Sequence, residues 1–182
     1  MVRHYHFSFS FDVIPPVLQR GRHALVVLRD ANGKFILGAK NIYPDKIVRF
    51  IGGGLDEAEP ADVGATREVE EEVGVRVNPA YLKPLAVIEA DITSLERTTR
   101  FTTFLFLYEI GAEELHPADD LDGIVRFSRE EMEQLIDRYA HLPKEIVDIG
   151  DGGNPFRWSD YGAYYGKVHQ IALECLEENV EK

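Results

Sequence analysis

Gly53 to Val75 reads GGLDEAEPADVGATREVEEEVGV, and the fold turns on whether its second half is a helix. Ala61, Ala65, Val69 and Val73 recur every fourth residue, an apolar stripe at helical period. Pro60 suits the first helical position and Gly74 the residue just past the end, so the punctuation agrees with the periodicity. On that helix Glu68, Glu71 and Glu72 stand at i, i+3 and i+4, beside the stripe rather than opposite it. Three carboxylates then border the core within one turn.

By itself this arrangement is unfavourable. Like charges at that spacing destabilise a helix by roughly 0.2–0.5 kcal/mol per pair, and Gly74 places them near the negative end of the helix dipole. A cation is needed. The ordinary explanation of a charge run is a solvated acidic face, but that does not account for what lies upstream. Gly53, five residues, Glu59, seven residues, Arg67-Glu68, aliphatic Val69, one residue, Glu71-Glu72, one residue, Gly74 and aliphatic Val75 form one continuous pattern. It matches G-x5-E-x7-R-E-U-x-E-E-x-G-U at every specified position. With residue frequencies of about one in fifteen, a chance match at a given start is on the order of one in a billion, which rules out the bland reading.

The stretch therefore resembles the Nudix box. The resemblance implies an α/β/α sandwich around a central mixed β-sheet, here with an N-terminal strand and a C-terminal helix added. It also implies hydrolysis of a nucleoside diphosphate linked to another group. Position by position, Glu68, Glu71 and Glu72 are then expected as metal ligands and the Gly52 carbonyl as a further ligand. Arg67 would orient a carboxylate, and Glu59 would reach the metal through water. The general base is either a box glutamate or a carboxylate from a downstream loop, for which Asp119 and Asp120 are the candidates, with Glu96 behind them. The family usually has Pro before the paired glycines; Ile51 stands there in this chain. Bare carboxylates select a hard cation, so Mg²⁺ is the expected cofactor and Mn²⁺ a possible substitute.

The rest of the chain bounds these expectations. With 182 residues and 45% hydrophobic content, it is read as one unit over 1–182, with extensions at 1–20 and 143–182. A formal net charge of −12 argues against binding a nucleic-acid polymer, because phosphate contacts need surplus Lys and Arg. The expected partner is a small nucleotide-type diphosphate. Cys175 is the only cysteine, so no intrachain disulfide can form. No apolar run approaches membrane-spanning length, and the default expectation is a cytoplasmic protein without membrane contact.

Taken in order, Phe7 to Val13 alternates apolar and polar residues, predicting a half-buried strand for a sheet edge or a homodimer contact. His23–Arg29 and Lys34–Lys40 read as a hairpin around Asp30-Ala31-Asn32-Gly33, with Arg29 and Lys40 as strand-end charges or phosphate contacts. Ile47–Ile51 reads as a strand feeding Gly52-Gly53-Gly54, glycines expected to admit a metal or phosphate close to the main chain. Gly64, four before Glu68, is expected to keep that helix face low where a ligand approaches.

Leu82–Ile92, Phe101–Ile110 and Gly123–Phe127 read as strands, and the connection Thr93–Arg100 as a hairpin end or a polyphosphate contact. Ser128 with Glu131 forms a capping box that opens a helix to about Tyr139. Gly150–Pro155 reads as a connector. Phe156, Trp158, Tyr161, Tyr164 and Tyr165 then precede a last helix with Val168, Ile171, Ala172, Cys175 and Leu176 on its buried face. Packing is the ordinary role of such an aromatic cluster; stacking on a base is the functional alternative. A non-catalytic nucleotide-binding or sensor domain is the competing reading of the whole chain, though it would not need all three acids.

Overall fold

A computed structural model describes residues 2–95, 97–148 and 155–177. Its central strand is β2 (Arg22–Arg29), buried from His23 to Leu28, which is why its sequence is a near-continuous apolar run rather than an alternating one. Along one edge β2 runs parallel to β6 (Thr98–Glu109), from Arg22 opposite Thr102 to Arg29 opposite Glu109. The other edge is shared. Leu28 and Arg29 pair with β3 (Phe35–Ala39), while His23 to Val26 pair with β4 (Ile51–Gly54), both antiparallel. Beyond this fork, Gly38 and Arg49 hold the two prongs together by a single bridge.

The sheet continues outward on both sides. β5 (Lys83–Thr93) pairs antiparallel with β6 and parallel with the edge strand β1 (Arg3–Ser10), while β7 (Gly123–Phe127) closes the opposite edge against β3. A separate two-stranded ribbon joins β8 (Ile146–Val147) to β9 (Phe156–Arg157). Helix α1 (Ala61–Val73) covers one face: Ala65, Val69 and Val73 pack with Ala24, Val26 and Leu28. Helices α2 (Arg129–Ala140) and α3 (Trp158–Glu177) cover the other, where Leu25 and Val27 meet Leu135, Tyr165 and Ile171 in the larger core. The period-two alternation of β2 thus divides its side chains between two helical layers. This is the mixed α/β sandwich that the sequence led us to expect.

Local signals account for the helix ends. The Ser128 hydroxyl accepts from the Glu131 N–H at 3.2 Å and the Glu131 carboxylate accepts from the Ser128 N–H at 2.6 Å, completing the expected capping box. Gly74 ends α1 in the left-handed conformation and donates its N–H to the Glu70 carbonyl. Pro60, expected inside the helix, is instead the residue before it.

Other expectations need correction. The N-terminal strand begins at Arg3 and ends at Ser10, because the Phe11 N–H makes the last ladder bond to Thr93 and the Pro15-Pro16 pair then turns the chain away. Phe11 and Val13 are therefore not part of it. Of the segment Ile47–Ile51, only Ile51 is strand, and the three glycines belong to β4 themselves; Arg49 exchanges both backbone bonds with Gly38 before the chain crosses to β2. The last helix starts at Trp158, so Trp158, Tyr161, Tyr164 and Tyr165 lie in its first turns rather than preceding it, and only Phe156, in β9, comes before. It crosses α2 closely at Gly162, where a Cβ would lie 2.3 Å from the Tyr139 carbonyl oxygen. The connector expected at Gly150–Pro155 falls mostly outside the described residues, as does Glu96. No helix among the described residues is long and apolar enough to cross a membrane.

Candidate active site

Between the fork in the sheet and the start of α3 lies a cleft of about 570 Å³. One wall is α1, which contributes Arg67, Glu68, Glu71 and Glu72, and β4 supplies Gly52, Gly53 and Gly54. Asp119 and Asp120 stand at its rim, Lys40 and Arg49 lie along it, and Tyr43, Phe156, Trp158 and Tyr161 form an aromatic end.

The three box glutamates occupy different environments. Glu72 is 3% exposed; its Oε2 accepts the Gly52 N–H at 2.8 Å, and its Oε1 lies 4.0 Å from the Arg49 guanidinium. Burial pushes its carboxyl up to about 7, against the opposing pull of Arg49. Glu68 is also pushed up by burial, with Arg67 opposing. Glu71 is half exposed at the mouth.

Arg67 resolves the charge problem posed by the sequence. Its Nη1 donates to Glu68 Oε1 and Glu71 Oε2, each at 2.8 Å, so the repelling acids share one guanidinium. Its Nε and Nη2 donate to the two oxygens of Glu59 at 3.0 and 3.1 Å, and Nη2 also reaches the Gly54 carbonyl at 3.1 Å. The bond to Glu59 is the main reason the Arg67 guanidinium is held even more firmly protonated than usual, and it holds Glu59 below the ordinary carboxylate range. Glu59 accepts the Asp56 N–H as well and is not among the residues lining the cleft.

The glycines have distinct tasks. A Cβ on Gly53 would sit 2.4 Å from Glu68 Oε2, so the missing side chain is what lets Glu68 lie against β4. Gly52 donates to Glu72, and its carbonyl accepts from Arg49 Nη2 at 2.8 Å, which leaves one lone pair. Gly64 differs from expectation. A Cβ there would meet Leu55 Cδ2 at 2.1 Å and Glu59 Oε2 at 2.9 Å, so this glycine admits the loop that carries Glu59, not a ligand.

Of the two strand-end cations, Lys40 lines the cleft and bonds Asp120, whereas Arg29 pairs with Glu109 at 3.7 Å and lies over Phe35. The Asp119–Asp122 loop is also tied down by the Asn41 N–H, which donates to Asp122 Oδ2 at 2.6 Å. The Thr93–Arg100 connection is a hairpin end: Arg100 pairs with Asp91, Arg97 with Gln19, and neither arginine lines the cleft.

One feature escaped sequence reasoning. Arg49 is 92% buried beside Tyr165, 5.5 Å from its ring centroid; a charge inside the apolar run Ile47–Ile51 was the available signal. The aromatic cluster named from the sequence is packed down as buried core at one end of the cleft. Trp158 lies 5.2 Å from Tyr161 and 6.0 Å from Tyr43 between ring centroids, and the Tyr161 hydroxyl, though buried, has no hydrogen-bond partner among the described residues. Such an unpaired group costs about 1–3 kcal/mol.

Could these residues hold a divalent cation? The donors bordering the cleft are all oxygens, which suits a hard ion. Among the described residues no group of three or more His, Cys, Asp or Glu is gathered tightly enough to hold one alone. In this conformation Glu68, Glu71 and Glu72 border one cleft, with Glu68 and Glu71 turned to Arg67 and Glu72 to the Gly52 N–H.

A family model described as the NUDIX domain matches residues 19–148, more than half of the chain. No curated protein sequence matches it. Among solved structures, the chain is similar to a Caenorhabditis elegans Ap4A hydrolase binary complex, with 15% identity and a TM-score of 0.53, covering 86% of this chain and 98% of that one. It is similar to the NUDIX domain of Shewanella oneidensis NrtR, crystallised with ADP ribose, with 13% identity and a TM-score of 0.55, covering 85% and 87%. A MutT/nudix family protein from Enterococcus faecalis shares 21% identity at a TM-score of 0.50; 63% of this chain spans 46% of that one. At these identities the likeness is one of fold.

Proposed function

This chain belongs to the NUDIX domain family, and from that premise we propose that it is a Mg²⁺-dependent pyrophosphohydrolase acting on a nucleoside diphosphate linked to a second group. One observation carries the reading: Glu68, Glu71 and Glu72 border the same cleft as Lys40 and Arg49, so oxygen donors for a cation and counter-charges for phosphate face one another. In a protein of net charge −12, an anionic substrate needs such local basic groups.

Oxygens of Glu68, Glu71 and Glu72 and the free lone pair of the Gly52 carbonyl would hold a divalent cation, which when bound would supply charge neutralisation at the diphosphate and make water a stronger acid. Mn²⁺ can replace Mg²⁺ in such a donor set. Arg67 holds Glu68 and Glu71 in register, and Glu59 fixes Arg67 from behind. Lys40 and Arg49 receive phosphate oxygens. Two kinds of carboxylate stand where a water proton could be taken. One is a box glutamate; the other is the loop pair, in which Asp120 is paired with Lys40 and Asp119 is exposed. We assign the proton to a box glutamate, of which Glu68 lies against β4, with Asp119 and Asp120 as the alternative.

The test is a panel of nucleoside triphosphates, ADP-ribose, nucleotide sugars and dinucleoside polyphosphates assayed with Mg²⁺ and with Mn²⁺. Metal-dependent release of a nucleotide from at least one supports the hydrolase. Binding of one without cleavage of any replaces it with a sensor domain.

A further inference from the structure

We propose that β1 is the pairing edge for a second copy of this chain, forming a two-fold dimer in which the two sheets join through antiparallel β1 strands. The inference stands on the sheet edge and is independent of the reaction assigned to the cleft. Its first support is the direction of the backbone. The Phe11 N–H bonds the Thr93 carbonyl, so in the parallel ladder the odd-numbered residues of β1 turn their N–H and C=O groups to β5. His4, His6, Ser8 and Ser10 turn theirs outward, and β1 ends the sheet, with no strand beyond it among the described residues. Such a row of backbone groups is a template for another strand.

The two edges of the sheet are built differently. β7 is five residues long and carries the exposed Arg126. β1 has eight residues in unbroken register with β5, without proline, lysine or bulge, and its one arginine is its first residue. The devices that keep an edge from pairing are missing from it.

The second support is that this edge matches itself. A two-fold axis normal to the sheet at Phe7 sets His4 opposite Ser10, and His6 opposite Ser8, of the second copy, so every outward residue enters a hydrogen-bonded rung. The faces match as well. Tyr5, Phe7 and Phe9 are half-buried on the α3 side, Phe9 with its ring centroid 5.8 Å from that of Tyr164 and Phe7 beneath Lys167. Across the axis Phe7 meets Phe7 and Tyr5 meets Phe9, extending the apolar row of Ile88, Ala90 and Ile92 in β5. On the exposed face one rung reads Glu89 and His6, then Ser8 and Asp91 of the second copy. No acid meets an acid at the seam, although each chain carries a net charge of −12. A slip of one residue would set apolar side chains against polar ones.

Sedimentation velocity of the full chain, at concentrations rising to about 100 μM, is expected to show twice the chain mass. Ser8→Pro removes an outward N–H and no bond to β5, so it should raise the dimer's dissociation constant about tenfold or more while the far-ultraviolet spectrum stays that of the parent. The register is read by cross-linking. Phe7→Cys puts a thiol on each side of the axis with Cα atoms about 4.5 Å apart, within disulfide reach, while Cys175 is buried. Mild oxidation should link Phe7→Cys chains into covalent dimers, whereas His4→Cys, which faces Ser10 and not itself, should stay unlinked.

A parent that remains monomeric over that range overturns the dimer and leaves the edge to another kind of chain. A dimer that survives Ser8→Pro with its dissociation constant unchanged, or in which Phe7→Cys links no faster than His4→Cys, joins elsewhere and overturns the proposal equally. If Ser8→Pro fails to fold, the two cysteine variants decide alone.

Discussion

The two ends of the cleft are built on opposite plans. The acidic wall comes from one helix and the strand before it, so its groups are fixed by spacing along 23 consecutive residues. The aromatic end is gathered from Pro16-Val17, Ile42-Tyr43 and Phe156 to Tyr161, which meet only because α3 folds back across the sheet. Charge is neutralised within the first by Arg67, while the second is held by ring packing and leaves one hydroxyl unpaired. The acidic pattern common to the family is encoded locally; the opposite end of the cleft is assembled at long range.

That contrast can be broken most directly at Glu71. It is half exposed and contributes little to packing, so Glu71→Gln should lower metal-dependent hydrolysis at least about a hundredfold, ~2.7 kcal/mol of transition-state stabilisation, with an unchanged melting curve. Full activity would remove the acidic wall from the mechanism.

Glu72 separates metal binding from stability. Its folded carboxyl is raised to about 7 from 4.5, so its contribution to stability is present below pH 4.5 and is lost as pH rises through 7. Glu72→Gln, neutral throughout, should therefore make the metal-free protein more stable by about 2 kcal/mol at pH 8 and lose the stabilisation that Mn²⁺ gives the parent. Urea unfolding at pH 5 and pH 8, with and without Mn²⁺, measures both.

The aromatic end should respond in the opposite sense to a packing change. Gly162→Ala puts a methyl against the Tyr139 carbonyl and should destabilise by about 2 kcal/mol, lowering the melting temperature without altering the pH dependence of hydrolysis. An equally stable variant would mean that α2 and α3 can move apart.

A smaller effect lies in the core beneath that end. His169 stacks on Phe50 with centroids 4.3 Å apart, and burial holds it down to about 4 from 6.5. The unfolded chain binds the extra proton first, so stability is complete above pH 6.5 and falls toward pH 4, by about 1–2 kcal/mol at pH 5. His169→Phe should flatten that slope in thermal melts across pH 5 to 7. Least of all, Asp119→Asn with Asp120→Asn should change turnover by less than about fivefold, under 1 kcal/mol, since Lys40 already neutralises Asp120. A large loss would move the general base from the box glutamates to the loop.

The sequence made the acidic wall legible because a helix turns residue spacing directly into shared faces. The stripe Ala65, Val69 and Val73 and the stop at Gly74 were readable for the same reason. The environments of the acids were not: nothing in E-x-x-E-E says that Glu72 is buried on Gly52 while Glu71 faces water. Spacing gave Gly64 the wrong partner, because its constraint comes from Leu55 and Glu59, brought back by a loop. Arg49 was missed since its place depends on Tyr165, more than a hundred residues away in the chain. The start of α3 was misplaced because aromatic residues weaken the helical periodicity that marks the rest of that helix.

The fork in β2 sets a rule for how such a cleft can vary. Two residues of one edge go to β3 and four to β4, and Val27 alone separates the two sets. Lengthening one prong takes a rung from the other, and a slip of one residue turns every side chain of that prong to the opposite helical layer. The opening between them therefore changes only in whole-residue steps, each of which would misdirect Arg49 or Gly52. Continuous adjustment of the cleft is left to the segments beyond the strands, residues 40–46 and the first turns of α3, while β4 stays in register.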